Sequence, residues 1–137
     1  MNLADWVESC SPDDMEGVAG RISKAMLKKS KGKSWFTGDY MSPKQVADRL
    51  YAGPYTCFFT KVDLTPSPTF GEQFNNAQYG KYVMSWDRLD PTIGYTPDNV
   101  VLCTLAFNKL KSSMSAEQMA LTLKTLIDLR GNKDEND

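Results

Sequence analysis

The stretch 81–111 constrains the fold more than any other part of this 137-residue chain. Residues 81–87 read as a β-strand, and Val100-Val101-Leu102-Cys103 reads as a second, short and buried one. Between them, Asp90-Pro91 and Gly94-Tyr95-Thr96-Pro97-Asp98-Asn99 are turn chemistry. Proline presets φ, Asp and Asn side chains bond nearby backbone, and glycine and asparagine tolerate unusual backbone angles. Residues 104–111 then read as a helix. Strand, turn, strand and helix in that order point to an α+β domain.

Helices are expected on both sides of this unit. Ser11 is an N-cap, Pro12 suits the first helical position, and Asp13 and Asp14 suit the positive helix start. Met15, Val18, Ile22 and Met26 then recur at the spacing of one buried face, to about residue 29. A basic run follows, Lys24, Lys28, Lys29, Lys31 and Lys33, and Trp35-Phe36 is expected as a short strand. Ser42-Pro43-Lys44-Gln45 is a capping box with proline at the helix start; Val46, Ala47 and Leu50 form its apolar side, and Gly53-Pro54 stops it. Residues 55–64 read as strand and turn, and 65–80 as a long surface loop. Ser115-x-x-Gln118 opens a last helix with Met119, Leu123, Leu126 and Ile127 on one face; Gly131 is expected to end it. The chain reads as one domain over 1–130, with an N-terminal helical extension and a flexible tail over 131–137.

Composition excludes several functions. The net charge of −1 and a pI near 5.4 do not argue for a nucleic-acid partner; only a local basic patch can. No apolar run approaches the roughly 18 residues of a membrane span, and the N-terminus lacks the features of a signal peptide, so a cytoplasmic protein without a membrane partner is expected. Cys10, Cys57 and Cys103 are widely spaced, which argues against a disulfide framework and a closed zinc site. Histidine is absent, which removes the commonest general base and every Ser-His or Cys-His device.

The stretch Asp87-Arg88-Leu89-Asp90, then Gly94-Tyr95, Asn99-Val100, and finally Asn108-x-x-Lys111-Ser112 resembles the HNH (ββα-metal) endonuclease family. The likeness is greatest to bacteriophage members, which often read D-R-I-D-x-x-x-G-Y-x-x-x-N-V followed by N-x-x-K-S. Upstream, Cys57-x-x-Thr60 looks like the segment preceding the core in such proteins. The resemblance implies a β-hairpin crossed by a helix and surrounded by additional helices. It also implies one divalent cation, Mg²⁺ or Mn²⁺, bridging a scissile phosphate.

By motif position, Asp87 and Asn108 match the metal ligands, and Arg88 stands where the family has its histidine base. Asn99 matches the central asparagine that fixes the loop, and Lys111 the phosphate-facing lysine. Arg88 departs from the family: a guanidinium stays charged and cannot take a proton near neutral pH, though it suits a phosphate. A base would have to come from Asp90, another carboxylate or metal-bound water, and losing one typically costs ~10²–10⁴-fold in rate. Each of the two Cys-x-x-Cys knuckles found in many relatives keeps one cysteine here. No structural zinc is therefore expected, and Phe58, Leu102 and Phe107 are expected to fill its place.

Two functions follow from the resemblance. One is a DNA-binding protein, with Asp87, Arg88, Asn99 and Asn108 as the catalytic set if it is a metal-dependent endonuclease. Arg88, Lys109, Lys111, Lys28, Lys29, Lys31 and Lys33 would contact the nucleic acid. The other is an inactive HNH scaffold that binds a protein, for example a host factor in the host cytoplasm if the chain is phage-encoded. A basic surface converging on Asp87 would favour the first, and an exposed apolar patch at Trp6 or Trp35 the second.

Overall fold

In the computed structural model, residues 1–76, 82–111 and 114–135 are described. Among them the chain forms five helices and one two-stranded antiparallel sheet, an α+β arrangement. Helix α1 spans Leu3–Ser9, α2 Pro12–Ser30 and α3 Pro43–Ala52. Strand β1 spans Met84–Arg88, β2 Val100–Thr104, α4 Leu105–Lys111 and α5 Ala116–Glu135.

The caps operate as the sequence indicates. Ser11 Oγ accepts from Asp14 N at 3.0 Å, and Ser42 and Gln45 close a reciprocal capping box. Each such cap satisfies orphan amides and typically stabilises by ~1 kcal/mol. Helix α1 has its own box between Asn2 and Asp5. It buries Leu3 and Trp6, the latter edge-on to Phe70 at 4.7 Å. The apolar face of α2 (Met15, Val18, Ile22, Met26) packs with Val46 and Leu50 of α3 and with Leu102 of β2 in one core. The Ser23 hydroxyl donates to Met41 O at 2.7 Å, which satisfies a polar group inside that core.

Several expected elements differ. Trp35-Phe36 is not a strand, because Trp35 is drawn down against Arg88 and Tyr95 instead. Residues 55–64 keep only an isolated bridge, Thr56 to Asp63, around a turn. The loop after Leu64 is pinned by buried Pro66 and Phe70 and by two 3₁₀ turns, Pro68–Phe70 and Glu72–Phe74; its residues 77–80, and Lys81 of the expected strand, lie outside the described residues. Gly94 and Asn99 do not adopt positive φ; Gly94 lies where an added Cβ would approach the Trp35 ring and Asp39 O at 3.5 Å. Helix α5 continues through Gly131 to Glu135, since one glycine costs a helix only ~1 kcal/mol. On its apolar face Met119 is buried, Leu123 half-buried and Ile127 exposed, while the Leu126 side chain lies outside the described ones.

The sheet sets up the site. Its register pairs Ser85 with Cys103 and Asp87 with Val101 on one face, and Met84 with Thr104, Trp86 with Leu102 and Arg88 with Val100 on the other. The first face meets α4, which follows β2 without a spacer. The second faces the core built on α2.

Candidate functional site

Adjacent residues of a strand point to opposite faces, so Asp87 and Arg88 part company. Asp87 lies under α4, where Lys111 Nζ sits 3.1 Å from its Oδ2 and donates to Arg88 O at 2.9 Å. Both side chains are nearly sealed, Lys111 at 1% exposure and Asp87 at 9%. The Asp87–Lys111 contact is an ion pair off hydrogen-bond geometry, and Oδ2 accepts no hydrogen bond among the described residues. One turn before Lys111, Asn108 Nδ2 donates to Ser85 Oγ at 2.8 Å. Asp87, Asn108 and Lys111 therefore gather on one face of the hairpin.

This arrangement does not fit Mg²⁺ or Mn²⁺. Such ions take an octahedron of oxygens, most of them water. Here the single carboxylate is buried, and an ammonium already lies against its free oxygen. A divalent ion in the same place would put two cations together in a desolvated site, which burial makes prohibitive. Among the described residues no three His, Cys, Asp or Glu side chains cluster as a ligand set. Asp90, the alternative base that the motif offers, is engaged in its own turn: the Thr92 hydroxyl (2.6 Å) and N–H (2.9 Å) hold its carboxylate below the usual range, with a smaller contribution from the Arg88 charge.

Arg88 is fixed on the opposite face. Its Nη1 donates to Pro91 O at 2.8 Å and Ile93 O at 3.1 Å, and its guanidinium lies 3.8 Å above the Trp35 ring centroid and 5.5 Å from that of Tyr95. Cation–π contact of this kind is worth ~0.5–2 kcal/mol. Asn99 builds the acceptors that hold it. Its Oδ1 accepts from Asp90 N at 2.9 Å, while Nδ2 donates to Asp90 O, Ile93 O and Gly94 O at 3.0–3.1 Å. Buried Asn99 thus locks the loop between the strands, the role the resemblance implies for it.

Around Arg88 lies a cavity of about 520 Å³ lined by Lys28, Lys29, Lys31, Lys33, Arg88, Trp35 and Tyr95. Local geometry explains the gathering. Lys28 and Lys29 occupy the last turn of α2, where the negative end of the helix dipole favours cations. Lys31 caps the helix, and Gly32, at φ 78°, then turns the chain so that Lys33 lines the same cavity. Among the described residues no carboxylate lies within 4.0 Å of any of these five cations. The chain as a whole carries −1, so this is a local concentration of positive charge.

Of the expected nucleic-acid contacts, the structure brings together Arg88, Lys28, Lys29, Lys31 and Lys33. Lys111 is sealed against Asp87, and Lys109 is exposed on α4 and does not line the cavity. Trp35 as a floor for the cations goes beyond what the sequence reading gives; its signal is an aromatic pair one residue beyond a lysine run. Near the two inner cysteines, Phe59 takes the place expected of Phe58: it stacks on Phe107 at 4.5 Å, while Phe58 is exposed. Burial, then the Asp87 charge, pushes the Cys103 thiol well above its ordinary pKa. Burial also acts upward on Cys57, but hydrogen bonds, chiefly from Thr60, bring it below the usual value. No described helix is long and apolar enough to cross a membrane.

No protein-family model, curated protein or solved structure matches this chain.

Proposed function

We propose that this protein binds nucleic acid through the cationic cavity at Arg88, on an HNH-like ββα scaffold whose metal position is taken by Lys111. The observation that carries this reading is the gathering of Lys28, Lys29, Lys31, Lys33 and Arg88 around Trp35 and Tyr95. Cations track phosphates and aromatic rings stack on bases, the combination by which single strands are held. The basic surface converges on Arg88 and not on Asp87, so the reading is of binding without hydrolysis.

Two assays test it together. Fluorescence anisotropy with a labelled oligonucleotide should show salt-sensitive binding that weakens in Lys31→Gln/Lys33→Gln. Plasmid incubated with Mg²⁺ or Mn²⁺ should remain uncut. Metal-dependent nicking that disappears in Asp87→Ala would instead establish an active, histidine-free nuclease.

A second reading is favoured by α5, whose Leu121, Ile127 and Leu129 are each more than 60% exposed. Exposed apolar side chains on one long helix suit a protein partner, for example a host factor if the chain is phage-encoded. Trp6 and Trp35 do not contribute to that surface: Trp6 is buried on Phe70, and Trp35 lies under Arg88.

A further inference from the structure

The cationic cavity shares Lys29 and Tyr95 with a second cavity of about 220 Å³. This one runs along the edge of β1 that β2 does not cover, between Ile22, Ala25 and Met26 of α2 and the loop at Ser67 and Thr69. The hydrogen-bond phase of the hairpin determines what that edge offers. Leu105 N donates to Val83 O at 2.7 Å and Leu89 N to Asn99 O at 2.8 Å. With the observed register, residues 83, 85, 87 and 89 therefore bond across to the second strand. Met84, Trp86 and Arg88 point their backbone groups the other way. The partner strand shows the same alternation, since the outward Leu102 O accepts from Phe58 N.

Two of these three outward residues are each engaged through one backbone group. Met84 N donates to Thr65 O at 2.9 Å, and Arg88 O accepts from Lys111 Nζ. The backbone N–H and C=O of Trp86 have no partner among the described residues. The cause is the path of the neighbouring chain: after touching β1 at Thr65 it turns into the 3₁₀ turn Pro68–Phe70, where Ser67 O, the next acceptor in phase with Trp86 N–H, accepts from Phe70 N at 3.0 Å instead. A donor and an acceptor thus stand side by side at a slot with apolar walls.

We infer that this slot takes one unpaired nucleobase of the nucleic acid held in the cationic cavity, an inference that rests on the function proposed above. The base lies against Met26 and Tyr95 and presents a neighbouring acceptor and donor to Trp86 N–H and C=O. Its phosphate reaches Lys29, which belongs to both cavities. A slot of this size holds a planar ring system, and the sugar and phosphates stay in the larger cavity. An added peptide strand is a poorer occupant, since Met84 N–H and Arg88 C=O are already bonded and close the run at both ends, and the adjoining cations call for phosphates.

The test compares anisotropy titrations of a single-stranded oligonucleotide and an abasic strand of equal length, for the wild type and Ala25→Leu. Leucine is a good helix former at this half-buried position and fills the slot; thermal unfolding checks the fold, and Ala25→Ser is the size-matched control. The wild type and Ala25→Ser are expected to prefer the base-bearing strand by about tenfold, in line with stacking of one base. Ala25→Leu should lose that preference and bind the abasic strand as the wild type does. Equal affinity of the wild type for the two strands, or an unchanged preference in Ala25→Leu, overturns the slot. If Lys31→Gln/Lys33→Gln then still weakens both strands, the cationic interface stands without it. If neither strand binds, or if that double variant binds as the wild type does, the interface itself is refuted along with the slot.

Discussion

Asp87 and Arg88 are neighbours in sequence, yet the strand sends them into opposite electrostatic regimes. On the α4 face, one negative and one positive charge neutralise each other out of contact with water. On the α2 face, five positive charges share an open cavity with two aromatic rings. Burial makes the difference. A sealed charge must carry its counter-ion with it, because desolvation cannot otherwise be offset. An exposed cluster can leave its charge unpaired and wait for a polyanion. The first face holds the fold together, and the second is available for binding.

The largest effect is expected from removing one partner of the sealed pair. Lys111→Met leaves the Asp87 carboxylate buried without a cation and should destabilise the protein by about 3–5 kcal/mol in urea unfolding. Asp87→Leu/Lys111→Met should recover most of that loss, because two apolar groups need no counter-ion. If the single and double variants are equally unstable, the pair is not the source of the cost. Next in size is Asn99→Ala, which frees one backbone amide and three backbone carbonyls in the loop that holds Arg88. It should cost about 2–3 kcal/mol, and it should also weaken oligonucleotide binding because the Arg88 acceptors shift. A loss of stability with unchanged binding would separate the loop from the interface.

Smaller effects are expected on the exposed side. Lys31→Gln/Lys33→Gln should leave unfolding within about 0.5 kcal/mol of the wild type while reducing affinity, since these exposed cations support no contact within the fold. Ile127→Glu on α5 should change both stability and nucleic-acid binding least, by no more than about 0.5 kcal/mol in urea unfolding. A marked stabilisation or a change of oligomeric state in that variant would show that the exposed face of α5 already has an occupant.

Much of the fold was legible in the sequence because its signals are local. Ser11, Ser42 and Ser115 announce helices through caps that need only three or four residues, and all three caps form. The strand–turn–strand–helix order of the hairpin unit is equally local. What failed was decided by distant partners. Trp35 reads as a strand residue on its own, but Arg88 and Tyr95, more than fifty positions away, draw it in. Asn99 reads by residue type as one chosen for its backbone angles, which it does not use, whereas the resemblance points to its side chain fixing the loop, which it does. The site was legible as a set of residues but not as a geometry. Alternation along β1 separates Asp87 from Arg88, and the Lys111 ammonium closes on Asp87 in a way that residue spacing does not reveal.

The division of labour between the two faces is tested most simply by the salt dependence of single-stranded oligonucleotide affinity, in the wild type and in Lys31→Gln/Lys33→Gln. With each neutralised phosphate contributing about −0.7 to the slope of log K against log salt, four to five phosphates give the wild type a slope near −3. The double variant should be shallower by about 1.4, because two phosphates no longer meet a lysine. A wild-type slope near zero, or identical slopes in the two proteins, would contradict the assignment of the Arg88 face as the nucleic-acid interface.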